Sequence, residues 1–301
     1  MNFEFFINLT FSGLTRGSIY ALLALGYTMV YGIIQLINFA HGEIYMIGAF
    51  TTLILVSVLT ILNLPLLAIA GIAIFVAIVW SAGYGYTMDK IAYKPVRTAP
   101  RLSALISAIG MSLFLQNYVR LAQTSDFLPF PRFIPKIAFL DAVSGLSSSQ
   151  FIIFVTTAVV MVLLTLLIKF TRVGKSMRAA AQDRMMATLT GVNVNRTISV
   201  TFIIGSVTAA IGGILISAHI GQINFYIGFL AGIKAFVAAV LGGIGSIPGA
   251  VLGSFVLGLT ESYGAGYISS DYEDVFAFVF LILILIFRPS GILGKPAAQK
   301  V

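Results

Sequence analysis

Polar side chains suited to binding or catalysis are concentrated at one interruption of an apolar run. Asn38, His41 and Glu43 lie within six residues of one another in an otherwise hydrophobic stretch. The chain has only two histidines, no cysteine and no carboxylate cluster in its sequence, which argues against a catalytic metal site or a cysteine nucleophile. The spacing therefore favours contact with a polar solute over an enzymatic reaction.

Composition predicts that helices in a membrane position these residues. Only 9% of the residues are charged, 59% are hydrophobic and the mean hydropathy is +1.03, whereas soluble chains are about a quarter charged. A bilayer solvates such apolar surface, and one crossing takes about 20 apolar residues. We expect a single all-α membrane domain over 1–301, and no cleaved signal peptide, because no Lys or Arg occurs in the first fifteen residues.

Nine hydrophobic segments are separated by short polar loops, and eight or ten crossings stay open because 220–246 is rich in glycine. The segments are 11–36, 44–62, 64–87, 102–121, 150–169, 197–219, 230–246, 248–266 and 275–287. The loops 88–101 and 169–196 and the tail hold 13 of the 18 basic residues. Basic loops stay in the cytoplasm, so we expect a cytoplasmic C-terminus and a periplasmic N-terminus. This placement also argues against nucleic-acid binding, despite a net charge of +8.

An internal repeat is indicated by a shift of 186 residues, which aligns 24–50 with 210–236 without a gap. Ten of the 27 pairs are identical, including an Ile-Asn-Phe tripeptide at each interruption. With nine spans the two copies run in opposite directions, as in the inverted repeats of many transporters. The predicted halves are approximately 1–170 and 197–301, joined by the loop 169–196. Chance similarity between biased sequences is the alternative.

The two interruptions have two interpretations, which do not exclude each other. In the first, they gate or line a translocation pathway, because helix breaks at membrane depth need a cavity or neighbouring protein to satisfy the freed backbone. In the second, the first interruption is a cytoplasmic turn in which Asn38 caps a helix and Glu43 lies near the helix dipole. The predicted gate residues are Asn38, Phe39, His41, Glu43, Asn224 and Phe225.

Two ionisable residues inside predicted spans form a further hypothesis. Lys234 lies near the start of the seventh span and Glu261 near the end of the eighth, so both are placed at similar depth near the outer face. Charges within a membrane are costly and usually paired. We therefore expect a Lys234–Glu261 ion pair, with a structural role favoured over a role in transport.

The loop 169–196 contains a predicted cytoplasmic helix. From Lys175 to Leu189 the loop is rich in helix formers, and Gly191 is a suitable stop. Apolar residues recur every fourth position, at Met177, Ala181, Met185 and Leu189. A helix with such an apolar stripe can dock in the groove of a partner protein or lie on anionic lipid as an interfacial helix. The glycine that opens a phosphate-binding loop is replaced by Lys169, so no ATP site is expected in this chain.

Several long motifs resemble the permeases of branched-chain amino-acid ABC importers, specifically the LivH subunits. They are GSIYAL at 17–22, GYTMVYGI at 26–33, INFAHGE at 37–43, ALISAIG at 104–110, QNY at 116–118, AAVLGGIGSIPGA at 238–250 and PSGILG at 289–294. The resemblance covers nearly the whole chain, and the loop 122–149 departs from it most.

This resemblance implies a permease of the bacterial inner membrane that works with other subunits. These are a second, LivM-type permease, two cytoplasmic ATPases that bind ATP and magnesium, and a periplasmic protein that delivers leucine, isoleucine or valine. The chain itself would bind no cofactor. The segment implied to couple to an ATPase includes Lys175, Arg178, Ala181, Gln182, Asp183, Ala187 and Gly191. Family members often have cysteine where this stretch has alanine, and a small apolar residue is kept.

The sequence thus predicts the pore subunit of an alternating-access importer, with an intramembrane enzyme and a stand-alone secondary transporter of small neutral solutes as its rivals. A secondary transporter usually needs acidic residues near the midplane for ion coupling, and Glu43 and Glu261 are the candidates. An enzyme needs a catalytic constellation at matched depth, which the sequence does not offer.

Overall fold

The computed structural model describes residues 3–36, 38–97, 99–135, 137, 146–288 and 290–294. Some residues of the predicted motifs, loops and tail lie outside these ranges, namely Ile37, Pro289, Lys295, Lys300 and 138–145. The helices are α1 Phe3–Ile34, α2 His41–Leu59, α3 Leu66–Met88, α4 Arg101–Ala122, α5 Ser148–Phe170, α6 Arg172–Gln182, α7 Arg184–Leu189, α8 Val194–Ile220, α9 Ile227–Gly242, α10 Ile247–Tyr267 and α11 Glu273–Phe287. Two short antiparallel strands, β1 Leu128–Pro129 and β2 Gln222–Ile223, pair with each other.

The apolar helices agree with the predicted all-α membrane architecture. Six of the described helices are long and apolar enough to cross a bilayer, and α9 and α10 form a further pair bent by 119°. Helix α9 has 16 residues and α11 has 15; at 1.5 Å per residue each spans about 24 Å or less, short of a bilayer core of about 30 Å. The count of nine crossings therefore stays a prediction.

Helix ends follow the capping chemistry of their sequences. Helix α5 starts with a capping box, in which Gln150 Oε1 accepts a 2.8 Å hydrogen bond from the Ser147 backbone N–H and Ser147 Oγ accepts one from Gln150 N. Helix α8 ends at Gly221, which has φ +80°, a conformation that glycine adopts at little cost.

Helices α1 and α8 form the centre of the domain. Of their most apolar windows, 89% and 72% are buried, against 17% for α5. Helix α1 lies against α10 through glycines, since a Cβ on Gly258 would overlap the backbone of Gly13 and Gly17. Small residues of this kind allow close approach of membrane helices. Many apolar side chains of α3, α4 and α5 stay exposed on the surface of the domain.

The helix boundaries repeat at the offset found in the sequence. Three features occur in both copies at positions separated by 186 residues: the last residue of a central helix, a residue with positive φ directly after it, and the first residue of the next helix. These pairs are Ile34 and Ile220, Gln35 (φ +56°) and Gly221 (φ +80°), and His41 and Ile227. The agreement supports a true structural repeat, because biased composition alone does not align backbone conformations.

Both interruptions turn back toward the middle of the domain. His41 lies beside Gly26, roughly two turns or about 12 Å before the end of α1. The restarting helices α2 and α9 then meet at Gly42 and Gly228, since a Cβ on either would overlap the carbonyl of the other. These two glycines are partners in the repeat. Equivalent residues touch on a two-fold axis, so this contact agrees with two-fold symmetry between the repeats, and their inverted orientation in the membrane stays a prediction.

Substitutions of these two glycines test the packing at the axis. Gly42→Ala and Gly228→Ala are each expected to lower the free energy of unfolding by about 1–3 kcal/mol, because a methyl group would meet backbone that cannot rotate away. The matched control is Gly32→Ala in α1, where no atom lies within 4 Å of the new Cβ. Thermal unfolding of the purified protein measures all three, and equal melting temperatures for Gly42→Ala and Gly32→Ala would contradict the close contact.

Candidate functional site

The interruption between α1 and α2 is held by a long-range contact. Helix α2 begins after Ala40, which makes no side-chain capping hydrogen bond. Asn38 is buried, and its Oδ1 accepts a 2.6 Å hydrogen bond from the Tyr93 hydroxyl, just beyond the end of α3. The interpretation of Asn38 as a helix cap is therefore wrong, because its side-chain oxygen accepts a hydrogen bond from Tyr93 and none from the backbone N–H groups of α2.

His41 is buried between the two central helices. Its ring lies 4.8 Å from the ring of Tyr27 in an edge-on arrangement. A Cβ on Gly26 would overlap the imidazole, and one on Gly205 would lie 3.3 Å from its Cε1. Glycine on both α1 and α8 thus makes the space that this ring fills.

Glu43 lies in the first turn of α2, at the contact between the repeats. It is fully buried, and its Oε1 accepts a 2.9 Å hydrogen bond from Ser112 Oγ. Its Oε2 faces Gly228, where a Cβ would lie 2.9 Å away. A carboxyl group inside a membrane domain is costly and is by default a candidate for function.

Three polar atoms of this interruption are buried without hydrogen-bond partners in the described part of the chain. They are Asn38 Nδ2, His41 Nε2 and Glu43 Oε2. Buried polar atoms are nearly always paired, so this closed packing leaves them unsatisfied. Phe39 covers the same region, with its ring 5.8 Å from that of Phe236 on α9. The gate role of these residues stays a prediction.

The second interruption lies elsewhere, on a cavity of about 510 Å³. Asn224 lines this cavity, and its Oδ1 accepts a 3.1 Å hydrogen bond from the Tyr226 N–H. Phe225 lies under the Arg120 guanidinium, 5.6 Å from ring centroid to Cζ. The predicted gate residues therefore form two groups, one packed at the centre and one at the cavity.

The structure brings Lys234 and Glu261 together, with Nζ 3.3 Å from Oε1. They belong to a larger ion cluster, in which Lys234 Nζ also lies 3.2 Å from Glu273 and 2.7 Å from Asp274. Arg16 on α1 pairs with Glu273 as well.

Carboxylates that do not form a cluster in the sequence come together in the structure. Glu261, Glu273 and Asp274 converge because the short turn between α10 and α11 folds one helix end onto the next. The Lys234 ammonium occupies the place among them that a metal cation would take. Sequence reasoning also missed Arg16, although an arginine within the first hydrophobic segment was a signal that an acidic partner must exist.

The predicted cytoplasmic helix is two helices. Asp183 ends α6 and caps α7, since its Oδ1 accepts hydrogen bonds of 2.8 and 3.0 Å from Met185 N and Met186 N. The prediction of a single helix from Lys175 to Leu189 is therefore wrong. An aspartate side chain that accepts hydrogen bonds from backbone N–H groups competes with continuation of the helix. Gly191 does end the segment, with φ +85°.

The break divides the apolar stripe between two surfaces. Met177 of α6 is buried against the membrane domain, whereas Met185, Met186 and Leu189 of α7 are 73%, 60% and 71% exposed. Of the residues expected to couple to a partner, Ala187 is buried. Exposed ones are Lys175, Arg178, Ala181, Gln182, Asp183 and Gly191.

A groove of about 280 Å³ connects this segment to the end of α1. Arg184 lines this groove, and its Nε donates a 2.9 Å hydrogen bond to the carbonyl of Ile33 in the last turn of α1. Burial, together with the nearby Arg97 guanidinium, lowers the pKa of Arg184, although arginine stays charged at neutral pH. A cation at a helix C-terminus is stabilising. Sequence reasoning treated Arg184 as an orientation signal only.

The sequence of this chain matches, over residues 9–285, the family described as branched-chain amino acid transport system / permease component. The chain belongs to this permease family. The permease is 47% identical to the high-affinity branched-chain amino acid transport system permease protein LivH of Salmonella typhimurium, over 99% of each chain. It is 50% identical to BraD of Pseudomonas aeruginosa, also a high-affinity branched-chain amino acid permease, over 96% of each chain.

Two further comparisons gave weaker matches. The xylose transport system permease protein XylH of Escherichia coli is 33% identical over 29% of this chain and 24% of its own length. The solved structure of PsaBC from Streptococcus pneumoniae in complex with Fab has a TM-score of 0.41 and 14% identity, covering 95% of this chain and 91% of that chain. The two permeases that are 47% and 50% identical along almost the whole chain are both branched-chain amino acid permeases.

Proposed function

We propose that this permease is the inner-membrane subunit of an ATP-driven, binding-protein-dependent importer of leucine, isoleucine and valine. The observation that carries the proposal is 47–50% identity along almost the entire chain to permeases of high-affinity branched-chain amino acid systems. The geometry agrees with a pore subunit: a cavity at one end, a packed interruption at the centre and an exposed helix at the other end.

The proposed assembly contains a second, LivM-type permease, two cytoplasmic ATP-binding subunits and a periplasmic binding protein. ATP and magnesium bind the partner subunits, and lipid surrounds the permease pair. The basic loops set the C-terminus in the cytoplasm and the N-terminus in the periplasm. The cavity near Asn224 then opens toward the periplasm, and α7 presents its exposed methionines and leucine to an ATPase groove.

The proposed mechanism is alternating access. Closure of the ATPases moves α6 and α7, and Arg184 transmits the movement to the end of α1 and so to the interruption that follows it. Opening there exposes Asn38, His41 and Glu43 to the pathway, which satisfies their unpaired atoms with water or solute. A small zwitterion with an apolar side chain needs few charged groups along such a path.

Co-purification and reconstitution test this function. The tagged permease, isolated from native membranes, is expected to bring ATPase subunits with it. In liposomes with the binding protein outside, leucine uptake should require ATP on the ATPase side and should persist when ion gradients are collapsed. Isolation without any ATPase subunit would overturn the importer proposal.

The buried Glu43 is the observation that favours a stand-alone secondary transporter, because such proteins couple solute movement to a carboxyl group in the membrane. Uptake by the permease alone, driven by a proton or sodium gradient and indifferent to ATP, would establish that alternative.

Removing the carboxyl group of Glu43 separates function from stability. Glu43→Gln keeps an acceptor for Ser112 but removes the acid, and we expect leucine uptake to fall several-fold while the melting temperature stays equal or rises. The control is Glu4→Gln, at an exposed carboxyl group near the start of α1. Unchanged uptake in Glu43→Gln would remove this residue from the gate.

A further inference from the structure

The cavity of about 510 Å³ lies between the first half of α1, the end of α8 and the start of α9. Its volume falls within the range of about 300–1,000 Å³ that is usual for small-molecule sites. Pairing of β1 with β2, and a 2.9 Å hydrogen bond from Phe130 N to the Gly221 carbonyl, hold the segment after α4 against it. Phe127 of that segment forms part of the wall.

One part of the cavity wall is aliphatic. Branched side chains from the three helices and from β2 line it: Ile19, Ile216, Ile220, Ile223, Ile227 and Leu230. A surface of this kind gains free energy by covering an apolar group of matching size, and it offers no hydrogen bond to a polar one.

Another part of the wall is charged with both signs. Arg16, Lys234 and Glu273 line the cavity, and their side chains are 34%, 14% and 23% exposed. Glu261 is fully buried behind them, fixed by a 2.7 Å hydrogen bond from the Tyr20 hydroxyl as well as by Lys234. The partly exposed members of the ion cluster therefore face the cavity, while its deepest carboxylate anchors them.

We propose that this cavity receives the free amino acid as a zwitterion. Arg16 donates hydrogen bonds to the solute carboxylate, Glu273 accepts them from the solute ammonium group, and the aliphatic wall covers the branched side chain. This assignment deepens the proposed import of branched-chain amino acids and rests on it.

The pairing of opposite charges explains why a zwitterion is the matching ligand. Arg16 and Glu273 are paired with each other in the cavity wall, and a zwitterion inserted between them satisfies both without changing the net charge. A ligand with only one charged group would break the Arg16–Glu273 pair in exchange for one new contact, and the residue left over would keep only Lys234 or the 4.0 Å contact with Glu261. A zwitterion breaks the same pair and makes two new contacts. Charge-assisted hydrogen bonds of this kind are among the strongest in proteins.

Saturation-transfer NMR on the intact transporter in nanodiscs, without the binding protein, tests the site directly. Leucine is expected to give methyl signals, whereas isovalerate, which lacks the ammonium group, and isoamylamine, which lacks the carboxylate, should give much weaker ones. Equal signals from all three probes would show an apolar surface without recognition of the zwitterion and would overturn the proposal.

Two variants distinguish the site from a merely structural ion cluster. Arg16→Gln should raise the dissociation constant for leucine about tenfold or more, whereas that for isoamylamine should stay equal or fall, because Glu273 no longer has to leave Arg16. Asp274→Asn removes a carboxylate of the same cluster that does not line the cavity, and it should leave leucine binding unchanged. A uniform loss for every probe in Arg16→Gln would show disruption of the fold and refute a contact with the solute carboxylate.

The same preparation separates this inference from the proposed function. If the complete transporter imports leucine in liposomes with the binding protein and ATP, but leucine gives no saturation transfer, the cavity assignment fails and the import function stands. If leucine contacts the cavity but no ATP-dependent import occurs, the import function fails.

Discussion

Arg97→Ala is expected to lower the free energy of unfolding of the permease by about 3–5 kcal/mol, because it leaves a buried carboxylate without its partner. Asp89, in the turn that ends α3, is fully buried and pairs with Arg97, whose side chain is only 9% exposed. Ser199 Oγ of α8 donates a 2.6 Å hydrogen bond to the same carboxylate. Arg97 also donates a 2.6 Å hydrogen bond to Asn195 Oδ1, so one residue joins the 88–101 loop to α8.

Unfolding of the purified permease in a denaturant titration measures this loss. Lys94→Ala is the matched control, because it removes an exposed cation from the same basic loop, and such a surface change is usually within about 0.5 kcal/mol. The double variant Arg97→Met with Asp89→Leu should recover much of the stability, since it removes both charges together. A similar small loss for Arg97→Ala and Lys94→Ala would show that the buried pair contributes little.

This pair shows what charge patterns in a sequence can and cannot reveal. The loop 88–101 was informative about orientation because basic loops are retained in the cytoplasm whatever they contact. Asp89 is the acidic residue in that basic loop, which was a signal for an ion pair. Its other partner, Ser199, lies more than a hundred positions away, and only the packing of α3 against α8 brings them together.

The helix boundaries near the two interruptions follow the offset found in the sequence. Identical residues at a constant offset reflect the same local backbone, so the ends of α1 and α8 and the starts of α2 and α9 follow the alignment. The depth in the membrane at which the interruptions lie could not be predicted. A hydropathy profile gives the length of each apolar segment, and it does not show in which direction the chain turns at a break. Contact between Gly42 and Gly228 requires both breaks to turn inward, which depends on the two halves together.

The candidate site was predicted as a set of residues but not as an arrangement. Asn38, His41 and Glu43 stood out as polar residues in an apolar run, whereas Tyr93 and Ser112, which bind two of them, lie in segments with ordinary helix patterns. Likewise, the exposed apolar residues of α7 were visible in the sequence. The break at Asp183 that turns them outward was not, since aspartate is also tolerated within a helix at the cost of propensity.

Arg184→Ala is expected to uncouple ATP hydrolysis from transport in the proposed importer. The hydrogen bond from Arg184 Nε to the Ile33 carbonyl is a direct link between the segment proposed to contact the ATPase and the end of α1. A hydrogen bond that involves a charged group contributes about 1.5–3 kcal/mol, so its loss should reduce the leucine imported per ATP hydrolysed by about tenfold or more. ATP hydrolysis itself should continue, because α7 retains its exposed Met185, Met186 and Leu189 for docking.

Simultaneous measurement of leucine uptake and phosphate release in proteoliposomes separates coupling from assembly. Arg196→Ala is the control, since it removes an exposed cation from the same cytoplasmic segment and should leave the ratio of leucine to ATP unchanged. Met185→Glu provides the opposite case: a charge on the docking surface should weaken ATPase binding and reduce hydrolysis and uptake together. If Arg184→Ala also reduces both together, the residue serves docking or folding, and the movement reaches the gate by another route. A retained ratio at normal rates would exclude the link through Ile33 altogether.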